Sequence, residues 1–145
     1  MIQGTNYKYI QYNTNETSSI IFYAKAASDV RIGLLTQNMS VIRRGEPLYE
    51  MVIGARDNKD VLIWRKALSP AMALCTTKHP PLTTKYFRAF WVEWTNYRIA
   101  VGPGKIVGRS TFCALNSSSA PIEVNFIAFA TSRYTTIHIK YYDGL

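Results

Sequence analysis

Hydrophobic and polar positions alternate with a period of two along most of the chain, and helical spacing is scarce. In SIIFYAKA, Ile20, Phe22, Ala24 and Ala26 share one side, with Ile21, Tyr23 and Lys25 on the other. In DVRIGLL, Val30, Ile32 and Leu34 oppose Arg31 and Gly33; in LYEMVIG, Tyr49, Met51 and Ile53 oppose Glu50. VLIWRK, RSTFCAL, PIEVNFIAFA and TTIHIKYY are further β-branched or aromatic runs of strand length, each bounded by Gly, Pro, Asn, Asp or Ser. Turn signals recur about every 10 residues, the rhythm of a sandwich or barrel. The pattern predicts an all-β protein: an antiparallel, jelly-roll-like β-sandwich of about ten strands with at most one short helix.

FRAFWVEWTNYRIAVGPG, residues 87–104, reads as a hairpin. Phe90, Val92 and Trp94 fall on one face and Ala89, Trp91 and Glu93 on the other; Tyr97, Ile99 and Val101 resume after Thr95-Asn96. Asn tolerates positive φ, which suits a tight turn. A Trp buries so much area that these two are expected to pack rather than to serve as ligand platforms. SPAMALC is the one helical candidate, with Ser69 as N-cap and Pro70 at the first helical position, inside a connection running to His79-Pro80-Pro81. GPGKIVG resembles a phosphate loop only weakly, because KIVGRSTF follows it instead of a helix.

At 145 residues the chain is expected to form one domain spanning 1–145. Hydrophobic residues make up 48% and charged residues 18%, a globular balance with no apolar run long enough to cross a bilayer. MIQGTNYKYIQYN lacks the basic-then-apolar order of a secretory leader. Net charge is +8, from 17 basic and 9 acidic residues, which favours anionic partners. The basic residues are scattered, with doublets only at Arg43-Arg44 and Arg65-Lys66, so the charge reads first as a solvated positive surface. Cys75 and Cys113 form no CxxC; a disulfide worth on the order of 4 kcal/mol and two buried thiols both fit.

The order of motifs adds a family. AKAASDVRIGL, then YEMVIGARDNKDVLIWRK, then YFRAFWVEWTNYRIAVG resembles the farnesoic acid O-methyltransferase-like domain family over roughly residues 20–140. The most specific pieces are Tyr49-Glu50-x-Val52-Ile53-Gly54, Asn58 with Ile63-x-Arg65, and Phe90-Trp91-Val92-x-Trp94 followed by Ile99-x-Val101-Gly102. Asn96-Tyr97 stands where the family's turn commonly reads Asp-Gly, and FATSRYTTIHIKYY replaces a terminal segment typically rich in Gly and Trp. The family's name implies methyl transfer. Its modules also occur in multidomain animal proteins beside lectin-like domains, which implies binding.

The residues point away from catalysis. A cofactor-dependent methyltransferase of the usual kind alternates strands with helices and opens on a glycine-rich loop. No metal spacing surrounds His79 or His138, and no GxSxG elbow marks a triad. Glu50 and Glu93 lie on non-core positions and read as surface carboxylates. The expectation is therefore a non-catalytic module, with no cofactor and no metal, recognising a glycan or protein partner, with an anionic ligand favoured by the net charge. Candidate contacts are the aromatic and cationic loop residues Arg43, Arg44, Tyr97, Arg98, Arg133 and Tyr134. Sequons at Asn15, Asn38 and Asn116 fit N-glycosylation of a secreted, extracellular protein, with a cytoplasmic home as the alternative. Two other functions stay open at this point: a small methyltransferase acting on farnesoic acid, and a β-domain binding nucleic acid or another polyanion.

Overall fold

A computed structural model of the chain describes residues 2–3, 8–11, 18–36, 49–65, 71–95, 97–116, 124–131 and 136–142. Two antiparallel sheets of 6 strands each make a sandwich. Sheet 1 runs β1 (Ile2–Gln3), β12 (Thr136–Tyr142), β3 (Ser19–Lys25), β8 (Arg88–Trp94), β9 (Arg98–Pro103), β10 (Cys113–Asn116). Sheet 2 runs β2 (Lys8–Gln11), β11 (Phe126–Thr131), β4 (Val30–Leu35), β5 (Tyr49–Gly54), β6 (Asp60–Arg65), β7 (Ala71–Thr76). Ten strands lie from β3 onward, as the turn rhythm predicts; β1 and β2 add a short strand to an edge of each sheet. Among the described residues no helix is long and apolar enough to cross a membrane.

The period-two positions become the core. Ile20, Phe22 and Ala24 of β3, Val30, Ile32 and Leu34 of β4, and Met51 and Ile53 of β5 are all buried. Phe22 joins the layers: its ring lies 5.5 Å from Phe90 beside it in sheet 1 and 5.3 Å from Phe129 across in sheet 2. Both spacings suit tilted aromatic packing.

Two pieces of the family-like pattern have a packing cause. Gly54 ends β5 at φ 84°, and a Cβ there would meet the Leu82 Cδ1 at 2.7 Å. The four residues after it, α1 (Ala55–Asn58), form a tight turn in which Arg56, Asp57 and Asn58 all have positive φ. Asn side chains tolerate that region, and this one also works as a clamp. Its Nδ2 donates to the Leu82 carbonyl at 2.8 Å, and its Oδ1 accepts from the Leu82 amide at 3.1 Å. The second piece is Trp91 with Gly102, register partners on β8 and β9. A Cβ on Gly102 would lie 2.1 Å from the Ser110 carbonyl oxygen and 2.4 Å from the Trp91 ring. Only glycine lets Trp91 and the 104–112 segment close together.

Three sequence expectations change. SPAMALC contains no described helix: Ala71–Thr76 is β7, paired along its length with β6. Its side chains alternate, with Ala71, Ala73 and Cys75 partly buried and Met72, Leu74 and Thr76 exposed. That alternation, anchored by pairing with β6, outweighs a local helix-start signal whose Ser69 and Pro70 lie outside the described residues. Glu50 is not a surface carboxylate but buried. Trp91 packs, as its size predicts, although it lies on the non-core side of β8; the loop after β9 folds over it. RSTFCAL gives strand only from Cys113 to Asn116; residues 104–112 are turns and bends, with Arg109 N–H donating to the Ile106 carbonyl.

Candidate functional site

The outer face of sheet 2 carries the arrangement with most chemical content. Because strand side chains alternate, register fixes which residues share this face. One row runs Gly33, Glu50, Trp64, Met72 across β4, β5, β6 and β7; the next runs Arg31, Val52, Leu62, Leu74. At the β4–β5 end the rows form an ionic corner. Arg31 sits 3.6 Å from the Glu50 carboxylate and 3.5 Å from that of Asp29. Glu50 and Val52 are buried there. At the β6–β7 end the rows open into an apolar platform: Trp64 is 38% exposed, Leu74 52% and Met72 62%. Three large apolar side chains at contiguous register positions beside a half-buried charge pair are unusual for a solvated sheet face.

The turn bordering this sheet holds a second ion pair. Asp60, buried at the start of β6, accepts a hydrogen bond from Arg56 Nε. That bond holds the Asp60 carboxyl below its ordinary range, against the opposing effect of burial.

A cleft of about 230 Å³ opens where β7 leads into β8. Pro81, Phe90 and Phe112 give it apolar walls, and Lys78, His79 and Arg88 line it as well. Arg88 is held by two contacts, donating to the Pro80 carbonyl at 2.6 Å and to the Tyr86 hydroxyl at 3.3 Å. Its guanidinium draws the Tyr86 phenol below the ordinary tyrosine range.

Of the residues singled out from sequence, Tyr97 and Arg98 are exposed at the tip of the β8–β9 hairpin. Asn116 is exposed at the end of β10 and is the register partner of Arg98, so one sequon is brought beside one candidate contact. Arg43, Arg44, Arg133, Tyr134, Asn15 and Asn38 lie outside the described residues. Cys75 and Cys113 are disulfide-bonded with Cα atoms 5.7 Å apart, joining β7 of sheet 2 to β10 of sheet 1. His79 is exposed, and His138 lies in β12 opposite Lys25. Among the described residues no three of His, Cys, Asp and Glu stand together as a metal site. Sequence reasoning missed the platform. The available signal was that VLIW and AMAL are apolar at both alternating sets, which an antiparallel strand with one watered face should not be.

The architecture is shared with known proteins. The galectin LEC-6 of Caenorhabditis elegans superposes with a TM-score of 0.59 at 10% identity, over 96% of this chain and 91% of that one. A tetrameric galectin of the ball sponge Cinachyrella gives 0.60 at 9% identity, over 94% and 99%. Congerin II, in a structure liganded by lactose and MES, gives 0.56 at 10% identity, over 94% and 99%. At such identity the likeness is one of fold: a galectin-like β-sandwich. No curated protein matches the chain significantly. The family model described as farnesoic acid O-methyl transferase matches residues 3–143, and with nearly its whole length covered the chain belongs to that family.

Proposed function

We propose that this domain is a non-catalytic recognition module whose ligand is a glycan, bound on the outer face of sheet 2. The observation that carries the reading is the exposed Trp64, flanked by Met72 and Leu74 on the platform side and by Glu50 as its register partner on the other. A sugar ring has an apolar C–H face and a polar edge. The indole gives such a face a flat apolar partner, and the Arg31–Glu50 pair supplies charged hydrogen-bonding groups at the platform's border. The galectin-like fold supports the same class of ligand, as does the lactose named for the congerin II structure. The disulfide agrees with an oxidising, extracellular setting. The methyltransferase reading draws on the family's name alone; no described arrangement of residues favours it over recognition.

A glycan array tests the proposal, followed by titration of lactose and of the best array ligand into wild type and Trp64→Ala. The expected result is selective binding that falls at least about tenfold in the variant, the scale of losing one anchoring aromatic. An array without hits, or a variant that binds like wild type, removes the reading. Titration of S-adenosylmethionine in parallel decides the alternative: tight binding would favour methyl transfer.

A further inference from the structure

The other side of the molecule treats charge differently. Around sheet 2, two arginines are matched by acids: Arg31 by Asp29 and Glu50, Arg56 by Asp60. Around the outer face of sheet 1 they are matched by aromatic rings. The Lys25 ammonium lies 5.2 Å from the Phe87 ring centre and Lys105 5.7 Å from Tyr23; at the start of β8, on the core-side alternation opposite Ala24, Arg88 lies 5.5 Å from Tyr86. None of these three cations is ion-paired with a described carboxylate, and Lys85 and Arg109 are exposed nearby in the 83–87 and 104–112 segments.

The first two pairs share the outer face, and the third adjoins them at the start of β8. Tyr23 and Lys25 are successive outward positions of β3, about 7 Å apart along the strand. Tyr23 pairs with Ala89 and Ala24 with Arg88, so the rings of Tyr23 and Phe87 flank the small side chain of Ala89. Arg88 and Ala89 in turn line the cleft that holds Lys78 and His79. Lys25 and Lys105 thus share a track across β3 and β8 to the loop over Trp91, with Arg88 at its edge beside the cleft. Among described carboxylates only Glu93 shares the outward positions of β8, at the far end of that strand.

We infer that this track is a second binding surface, separate from the Trp64 platform, and that it takes the carboxylate or sulfate groups of an acidic polysaccharide. Charge complementarity is the first reason: unpaired cations in a row favour a ligand with anions in a row. The state of the rings is the second. A single-stranded nucleic acid needs open aromatic faces on which to stack its bases. Here each ring already has a cation over its face, so the surface presents charge and not stacking platforms. The disulfide agrees with an oxidising compartment, where acidic polysaccharides are abundant polyanions.

The probe is a heparin oligosaccharide titrated into the full chain at several salt concentrations. Wild type should bind with an affinity that falls steeply as salt rises. Lys25→Gln and Lys105→Gln should each lose affinity severalfold, and the double variant on the order of tenfold with a flatter salt dependence. Lys59→Gln removes the same single charge from the turn on sheet 2 and should leave heparin affinity unchanged; it is the control for net charge. Trp64→Ala should also leave it unchanged, so failure on this face and failure at the platform are separate results. The inference is overturned by no heparin binding at low salt, by a double variant that binds like wild type, or by Lys59→Gln losing as much as Lys25→Gln. A DNA oligonucleotide of matched charge, or phosphatidylserine vesicles, binding more tightly than heparin would give the surface to that class instead.

Discussion

The outer faces of the two sheets start from the same strand alternation and end differently. On sheet 1 the loop after β9 folds back over Trp91 and buries it, while cations sit on aromatic rings. On sheet 2 Arg31 and Arg56 sit on carboxylates, and Trp64 is partly exposed beside Met72 and Leu74. One tryptophan is therefore a structural filler on a face that should be wet, and the other keeps part of its surface in water. Outward position in a strand does not decide between these fates. The cover does, and here the cover depends on a single glycine.

The largest effects separate the two tryptophans. Trp91→Ala removes a fully buried ring and should cost about 3–5 kcal/mol in a denaturant melt. Trp64→Ala should cost on the order of 1 kcal/mol, since part of its surface is already in water. Equal costs would mean that Trp64 is packed and the platform is not a platform. Gly102→Ala probes the cover directly. Its new methyl meets a backbone carbonyl and the Trp91 ring, neither of which can swing away, so about 3 kcal/mol is expected, the upper end for overpacking.

Next in size is the staple between the open edges. β7 ends sheet 2 and β10 ends sheet 1, and Cys75–Cys113 is the covalent link between them. Removing it with Cys75→Ser and Cys113→Ser should cost about 2–4 kcal/mol. Amide exchange should rise first in β7 and β10, because β3 and β8 sit inside sheet 1 with partners on both sides. Uniform loss of protection would show that the edges are not the weak part.

The sandwich was legible because its core is a period-two code, and Ile20, Phe22, Ala24, Val30, Ile32 and Leu34 obey it. Glu50 was misplaced by the same code, and the cover over Trp91 was not legible in it. Periodicity names the side of a strand, whereas burial on the outer side depends on Arg31 reaching Glu50 from β4 and on a loop returning over Trp91. β7 was hidden by Ser69-Pro70, a start signal for a helix that tertiary pairing overrides. The disulfide stayed undecided because sequence cannot show that Cys75 and Cys113 face each other across two sheets. The platform needed register: only when β6 is laid against β7 does Trp64 fall beside Met72.

A smaller effect follows pH. Asp60 is held below its ordinary range by Arg56, so its ionised form is the one that stabilises the fold. That contribution is complete above the unfolded carboxyl value of about 4 and is lost as pH falls through the lower folded value. Stability measured from neutral to strongly acidic pH should drop more steeply in wild type than in Asp60→Asn. Parallel curves would mean that the Arg56 contact contributes nothing.

The smallest change belongs to the hairpin tip, where sequence first placed a site. Thr95 N–H donates to the Arg98 carbonyl at 2.8 Å, so the backbone closes the turn without help from either exposed side chain. Tyr97→Ala with Arg98→Ala should shift stability by no more than about 0.5 kcal/mol. It should leave glycan binding at the platform unchanged, because the tip belongs to sheet 1 and the platform to sheet 2. The tip also has a competitor for its space. Asn116 is the register partner of Arg98, so a glycan attached there would stand over the residues expected to meet a ligand. Mass measurement of protein secreted from animal cells, with and without Asn116→Gln, reads whether that glycan is present. Lost ligand binding in the Tyr97 and Arg98 variant, with Asn116 unmodified, would return the site to the tip and take it from Trp64.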